Sequence, residues 1–250
     1  MKRCLILIGN EGVRNTSSYL PGVSKDIERY EAFFRSDFGG AWEDDEIDTQ
    51  NYGWTAEGLL NTLWSRRLDR LDYALIVFAG HGYAERRGEI YFELSPGSEV
   101  ALSTIKTWLP NQKMLMIADS CQGYLDEPLS KSLTESIRTF SAGGRIRDSR
   151  NTMRDRYNMF IERMHGREKA FASAVSLGEC ANDTSKGGLY SRNLLDLAEL
   201  AIERVPGPTV IPMDIIHSDV RQRVSRITRY EQNPNLTLDR GDNYPPFLVL

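Results

Sequence analysis

The chain has 250 residues, a formal net charge of −4 and 40% hydrophobic residues. That is enough apolar material for one substantial core, and the length permits one domain or two. The charge balance excludes the strongly basic surface of a nucleic-acid-binding domain, and no apolar run approaches the ~20 residues that cross a bilayer.

The first apolar run, Cys4-Leu5-Ile6-Leu7-Ile8, follows Met1-Lys2-Arg3. It is shorter than the roughly 7–15 residues of a secretory core and has no small-residue cleavage site after it. It reads as a buried strand, which leaves the cytoplasm as the expected compartment. Gly9-Asn10-Glu11-Gly12 lacks the Gly-Lys-Ser/Thr ending of a phosphate loop and reads as a turn. Val23, Ile27, Tyr30, Phe33 and Phe34 have helical spacing. Thr55 is placed to cap a helix reaching Leu71, with Leu59, Leu60, Leu63 and Leu68 as its apolar stripe. Tyr73–Ala79 is apolar throughout and stops at Gly80, as expected of a strand covered on both faces. A short helix over Ser103–Leu109 and a second apolar run, Met114–Ala118, come next, the latter stopping at Asp119. The stretch from Gln122 to Lys169 is long, polar and rich in Ser, Gly and Arg, with a short helix expected over Tyr157–Met164. A loop of that length inside a domain is usually functional or disordered. Phe171–Val175 is a weaker strand. Ser191 is expected to cap a helix reaching Ile202, Pro212 to begin one reaching Arg229, and Phe247–Leu250 to form a last strand.

Strands separated by helical segments predict βαβ units, hence a mostly parallel sheet with helices on both faces. Ligands bind such sheets beyond the carboxyl ends of the strands. Two runs end in chemically capable residues, His81 after the first and Cys121 after the next.

The three cysteines, Cys4, Cys121 and Cys180, are too few and odd in number for a disulfide framework. No CxxC or HxxxH spacing suggests zinc, and with only His81, His165 and His217 a multi-histidine metal site is not expected. Cys4 and Cys180 read as structural thiols, and His165 and His217 as surface or partly buried helix residues. Cys121 differs because a thiol beside a base is a nucleophile. In Gly80-His81-Gly82 the imidazole sits between two residues without side chains, so a substrate can approach closely. The amides of Gly82 and Cys121 are then candidates for an oxyanion hole.

Ala79-Gly80-His81-Gly82 and Asp119-Ser120-Cys121-Gln122-Gly123 resemble the two catalytic signatures of caspases and metacaspases. The cysteine follows the histidine by 40 positions, against about 50 in caspases. Leu20–Ile27 resembles the family's first-helix motif, and Ala170–Leu195, with Glu179 and Gly187-Gly188-Leu189-Tyr190-Ser191, resembles the start of its small subunit. The resemblance implies a three-layer α/β fold of the caspase-hemoglobinase type, with about six strands. It also implies a single domain with a large-subunit-like part (1–130), a basic linker (131–169) and a small-subunit-like part (170–250). His81 and Cys121 would be a dyad working through a thioester, with no cofactor required.

Caspases carry Gln-Ala-Cys where this chain has Asp119-Ser120-Cys121, the metacaspase form. By that resemblance Asp119 and Asp26 form the floor of the pocket for the residue before the cut. Two carboxylates attract Arg or Lys and repel Asp. The expected partners are therefore proteins or peptides with Arg or Lys at that position. The linker carries Lys131, Arg138, Arg145, Arg147, Arg150, Arg154, Arg156, Arg163 and Arg167, which suggests a zymogen cut there by itself or by an upstream protease. Family analogy extends to a bacterial stress, cell-death or antiphage cascade. Calcium dependence occurs among metacaspases, but Glu43-Asp44-Asp45-Glu46 lacks the spacing of a known calcium loop. The competing readings are a caspase-like scaffold that binds without cutting, and another hydrolase on a similar sheet. The latter is disfavoured by the missing Gly-x-Ser-x-Gly elbow and the early histidine. Neither nucleic acid nor membrane is an expected partner. Both a monomer and a homodimer are open.

Overall fold

The computed structural model describes residues 1–50, 53–124, 148–164, 167–239 and 241–250. The first half runs β1 (Arg3–Gly9), α1 (Val23–Arg35), β2 (Ile47–Gln50), α2 (Ala56–Leu68), β3 (Tyr73–Ala79), β4 (Gly82–Ala84), β5 (Ile90–Ser95), β6 (Ser98–Ala101), α3 (Leu102–Trp108) and β7 (Lys113–Asp119). The second runs α4 (Arg150–Arg163), β8 (Lys169–Ser173), β9 (Asp183–Thr184), β10 (Gly187–Gly188), α5 (Leu189–Arg204), β11 (Val210–Pro212), α6 (Met213–Ile227), β12 (Asn235–Leu238) and β13 (Pro246–Val249).

Six strands form the central sheet in the order β12-β8-β7-β3-β1-β2. The pairs β1–β2, β1–β3, β3–β7 and β7–β8 are parallel, and β12 is antiparallel to β8. The apolar runs alternate between two cores, as the pleat of a covered sheet requires. Leu5, Leu7, Leu75, Val77, Leu115 and Ile117 face the layer with α1, α4, α5 and α6. Ile6, Ile8, Ile76, Phe78, Met114 and Met116 face the layer with α2, α3 and the small β4-β5-β6 sheet. The expected three-layer architecture is therefore present.

Several boundaries differ from the sequence reading. Thr55 caps α2 through a 3.0 Å hydrogen bond from the Gly58 N–H, but the helix stops at Leu68, which is exposed; of the predicted stripe only Leu59 and Leu63 are buried. Ser191 is not a cap. It lies inside α5, where its N–H donates to Asp119 and its hydroxyl accepts from Tyr30. The last strand is present one residue earlier than expected, at Pro246–Val249, and pairs with β11 in a separate two-stranded sheet. His217 is fully enclosed, its Nδ1 2.9 Å from the Tyr190 hydroxyl, and burial depresses its pKa to about 4.

The largest correction concerns the basic linker. Arg150, Arg154, Arg156 and Arg163 belong to α4, which begins seven residues before the expected short helix. Arg150 reaches Asp37, Arg156 pairs with Asp148, and Arg154 grips both oxygens of Glu46 at 2.8 and 2.6 Å. In the folded chain these three positions are therefore held in a helix and paired, not displayed on an extended loop. Arg138, Arg145 and Arg147 lie outside the described residues. Glu46 also accepts from the buried Arg3 at 3.1 Å, while the Arg3 guanidinium lies 4.2 Å from the Trp42 ring centre. Burial alone would raise the Glu46 pKa; the hydrogen bonds from Arg154 and Arg3 outweigh it and hold the group below its usual range. Asp44 is paired with Arg35, so the acidic run 43–46 does not present a free set of ligands. Replacing Glu46 by Gln leaves Arg3 charged and buried, and is expected to cost about 3–5 kcal/mol. A urea titration of both proteins measures this as a lower midpoint with an unchanged slope.

Candidate active site

The site forms where β1, β3, β7 and β8 end. Ala79 is in register with Asp119, so His81 and Cys121 each stand two residues beyond paired positions on adjacent parallel strands. The strand ends are stitched together: Asn10 N–H donates to Ala79 C=O at 2.9 Å and Gly80 N–H to Asp119 C=O at 3.1 Å. One cleft is lined by His81, Cys121, Asp26 and Asp119, together with Asp183 and Gly188. The structure thus brings the two dyad candidates and the two pocket candidates to one place.

His81 is half-buried, with Nε2 2.6 Å from the Ser18 carbonyl oxygen. A carbonyl can only accept, so Nε2 carries a proton and the neutral ring keeps Nδ1 as its basic nitrogen. Ser18 was not identifiable from the sequence because it acts through its backbone.

Asp26 lies in the first turn of α1 and is 1% exposed. Its Oδ2 accepts from the Gly188 N–H at 2.7 Å, and its Oδ1 has no hydrogen-bond donor among the described residues. Burial pushes its pKa well above the usual carboxylate range, and the charge of Asp119 adds to this. Asp119 ends β7 and accepts from the Ser191 N–H at 2.9 Å; burial still raises its pKa to about 6. The β9–β10 turn closes over both groups with glycines. A Cβ on Gly187, whose φ is +114°, would overlap Asp26 Oδ1, and one on Gly188 would overlap Asp119 Oδ2. Asp183, absent from the sequence reading, adds a third carboxylate; its Oδ2 accepts from the Gly22 N–H at 3.3 Å. Nothing in the polar Asn182-Asp183-Thr184 turn distinguishes it by pattern.

Gly82 opens β4 opposite Phe92. Glu93 N–H donates to His81 C=O, so the alternation of antiparallel bonding makes Gly82 a non-hydrogen-bonded position. Its N–H therefore turns away from β5, on the side where Ala84 N–H meets the Gly123 carbonyl.

Cys121 is not a free thiol in this structure. It forms a disulfide with Cys180, with the Cα atoms 4.1 Å apart. This corrects both the reading of Cys180 as a structural thiol and the expectation that no disulfide forms. An odd cysteine count is silent on which two loops the fold brings together. Only Cys4 is the buried structural thiol expected, and burial raises its pKa to about 12. Among the described residues no cluster of three or more His, Cys, Asp or Glu side chains is arranged to hold a metal ion, and no helix is long and apolar enough to cross a membrane.

The family model of the caspase domain matches residues 1–243. The chain belongs to the caspase-domain family of peptidases. A search of curated proteins returns no match. Among solved structures, a protein of Geobacter sulfurreducens superposes with a TM-score of 0.61 at 12% identity, covering 100% of both chains. Caspase-1 from Spodoptera frugiperda superposes with a TM-score of 0.59 at 12% identity, covering 94% of this chain and 86% of its own. At such identity these neighbours establish the fold, a central mostly parallel sheet between helices. The family match supports a cysteine peptidase.

Proposed function

We propose that the reduced chain is a cysteine endopeptidase cutting after Arg or Lys, with Cys121 as nucleophile and His81 as base. One observation carries this reading: His81 and Cys121 share a cleft with two buried carboxylates, one of which has an oxygen without a donor among the described residues. An enclosed acidic floor with an unfilled acceptor oxygen is the complement of a guanidinium or ammonium group. Arginine fits best, because its fork can donate to Asp26 and Asp119 together.

In the proposed reaction His81 Nδ1 takes the Cys121 proton while Ser18 fixes the ring through Nε2. The thiolate attacks the peptide carbonyl. The N–H groups of Gly82 and Cys121 receive the negative charge that develops on its oxygen, a contribution of about 2.7–4 kcal/mol for each such donor. The imidazolium then protonates the leaving amine, and water hydrolyses the thioester. An activating cut of a zymogen is assigned to Lys131, Arg138, Arg145 or Arg147, since Arg150, Arg154 and Arg156 of α4 are engaged.

The test is a pair of fluorogenic peptides, identical except for Arg or Asp before the scissile amide, given to the chain under reducing conditions. Expected is cleavage of the arginyl peptide with a preference of at least about 10²-fold, the scale of losing one buried charge pair and facing repulsion instead. Equal rates would remove the acidic pocket from the mechanism. No cleavage of either would favour a scaffold that binds without cutting.

A further inference from the structure

We propose that Cys121 and Cys180 are a reversible oxidation site, with Cys180 serving as the resolving thiol that takes the Cys121 sulfur out of the active site and protects it. The proposal rests on the peptidase reading of Cys121 and concerns the regulation of that same site.

The two cysteines are 59 residues apart in sequence, and the backbone holds them together independently of the sulfur bond. Gln122 N–H donates to Glu179 C=O at 2.9 Å, and Gly178 N–H donates to Gln122 C=O at 2.9 Å, so each cysteine directly adjoins this paired ladder. The Glu179 carboxylate in turn anchors its loop by accepting from Ser176 N–H, Asn233 N–H and Asn233 Nδ2 at 3.1, 2.7 and 2.6 Å. Reduction therefore leaves the thiols facing each other across two tied loops. Both residues are half-buried, within reach of a small oxidant or a dithiol, whereas Cys4 is fully enclosed and has no partner sulfur. Cys180 does not line the cleft and is not needed for the proposed reaction.

The chemistry balances with a hydroperoxide as oxidant. The Cys121 thiolate attacks the terminal peroxide oxygen; the O–O bond breaks, and the departing alkoxide or hydroxide takes a proton. Cys121 is left as a sulfenic acid. The Cys180 sulfur, giving up its proton, attacks the Cys121 sulfur. The S–O bond breaks, water leaves and the disulfide forms. Two thiols have lost two electrons in all, and the peroxide has gained them. A dithiol reverses the change through a mixed disulfide and is itself oxidised. While the bond exists Cys121 has no thiolate to offer a substrate. Without Cys180 the sulfenic acid persists and a second hydroperoxide, itself reduced to the alcohol or water, adds another oxygen to give sulfinic acid, which a dithiol does not restore.

The experiment treats the purified full chain and its Cys180→Ser variant with hydrogen peroxide, then with dithiothreitol. Disulfides are mapped by peptide mass, and hydrolysis of the arginyl peptide is followed at each stage. The reduced forms are expected to be equally active. Oxidised wild type is expected to show the Cys121–Cys180 peptide, lose activity by roughly tenfold or more, and regain it with the dithiol. The variant is expected to lose activity without recovery and to carry two added oxygens on Cys121. Absence of the linked peptide from oxidised wild type, or equal recovery of both proteins, overturns the proposal. Should serine at this site prevent folding, Cys180→Ala with the same mass readout gives the same decision. A chain that forms and releases the bond yet never cleaves the peptide sinks the peptidase reading and leaves the sulfur pair standing.

Discussion

The Cys121→Ala chain is expected to hydrolyse the arginyl peptide no faster than background, and His81→Ala to retain a rate reduced by about 10²–10⁴-fold. The two losses differ in kind. Without the Cys121 sulfur there is no acyl-enzyme, whereas without the imidazole the thiol remains and ionises only to the extent that its own pKa permits. A thousandfold loss corresponds to about 4 kcal/mol of barrier. An arginyl chloromethyl ketone separates the cases by mass. It should alkylate Cys121 in reduced wild type, react slowly in His81→Ala, and leave the alanine variant unmodified. Folding must be compared with reduced wild type, because Cys121→Ala also removes the bond to Cys180. His81 is half-buried and its side chain bonds to the Ser18 carbonyl, a surface-accessible contact, so its loss should leave the melting temperature nearly unchanged. Full activity of Cys121→Ala would refute the assignment outright.

The layers, and the placing of His81 and Cys121 in one cleft, were legible because they rest on strong local signals. Tyr73–Ala79 and Met114–Ala118 are apolar on both faces, which only a covered strand accommodates, and their register sets His81 beside Cys121. The strands that went unrecognised lack that signal. β12, Asn235-Leu236-Thr237-Leu238, lies at the edge of the central sheet and is only partly buried, and the β4-β5-β6 sheet alternates buried with half-exposed residues over short stretches. β2 is a four-residue edge strand reading Ile-Asp-Thr-Gln. Edge strands are weakly marked because half of their surroundings is water.

The site was legible in part for a different reason. Asp26 and Asp119 were assigned to the pocket by resemblance, and the fold brings both to the cleft. Ser18, Asp183 and the Cys121–Cys180 pair depend on loop-to-loop contacts made after the chain folds. Ser18 contributes only a carbonyl, which any residue has. The start of α4 within the basic run was not legible, because charge alone does not distinguish a solvated loop from a helix whose arginines are taken up by Glu46, Asp37 and Asp148.

The second large effect belongs to the acidic floor. Asp119→Asn and Asp26→Asn are each expected to lower kcat/KM for the arginyl peptide by roughly 30-fold to several thousandfold, the equivalent of the 2–5 kcal/mol associated with one partner of a buried hydrogen-bonded charge pair. The pH dependence follows from the raised pKa of Asp119. In the free protein Asp119 titrates near 6, facing Asp26 from α1 and Asp183 from β9. Its folded value lies above its unfolded one, so its contribution to stability is fully present below the ordinary carboxylate range and is lost as pH rises through about 6. A guanidinium ligand selects the ionised form, so its binding should strengthen over the same interval. The melting-temperature rise produced by benzamidine should therefore be larger at pH 7.5 than at pH 5. Asp119→Asn should flatten that difference while keeping His81, which separates pocket titration from any change at the imidazole. The same variant should be no less stable than wild type at neutral pH, because it removes a buried carboxylate that repels Asp26 and Asp183. If benzamidine shifts both proteins equally at every pH, the carboxylates do not receive the substrate cation, and the preference for Arg or Lys has no basis in this cleft.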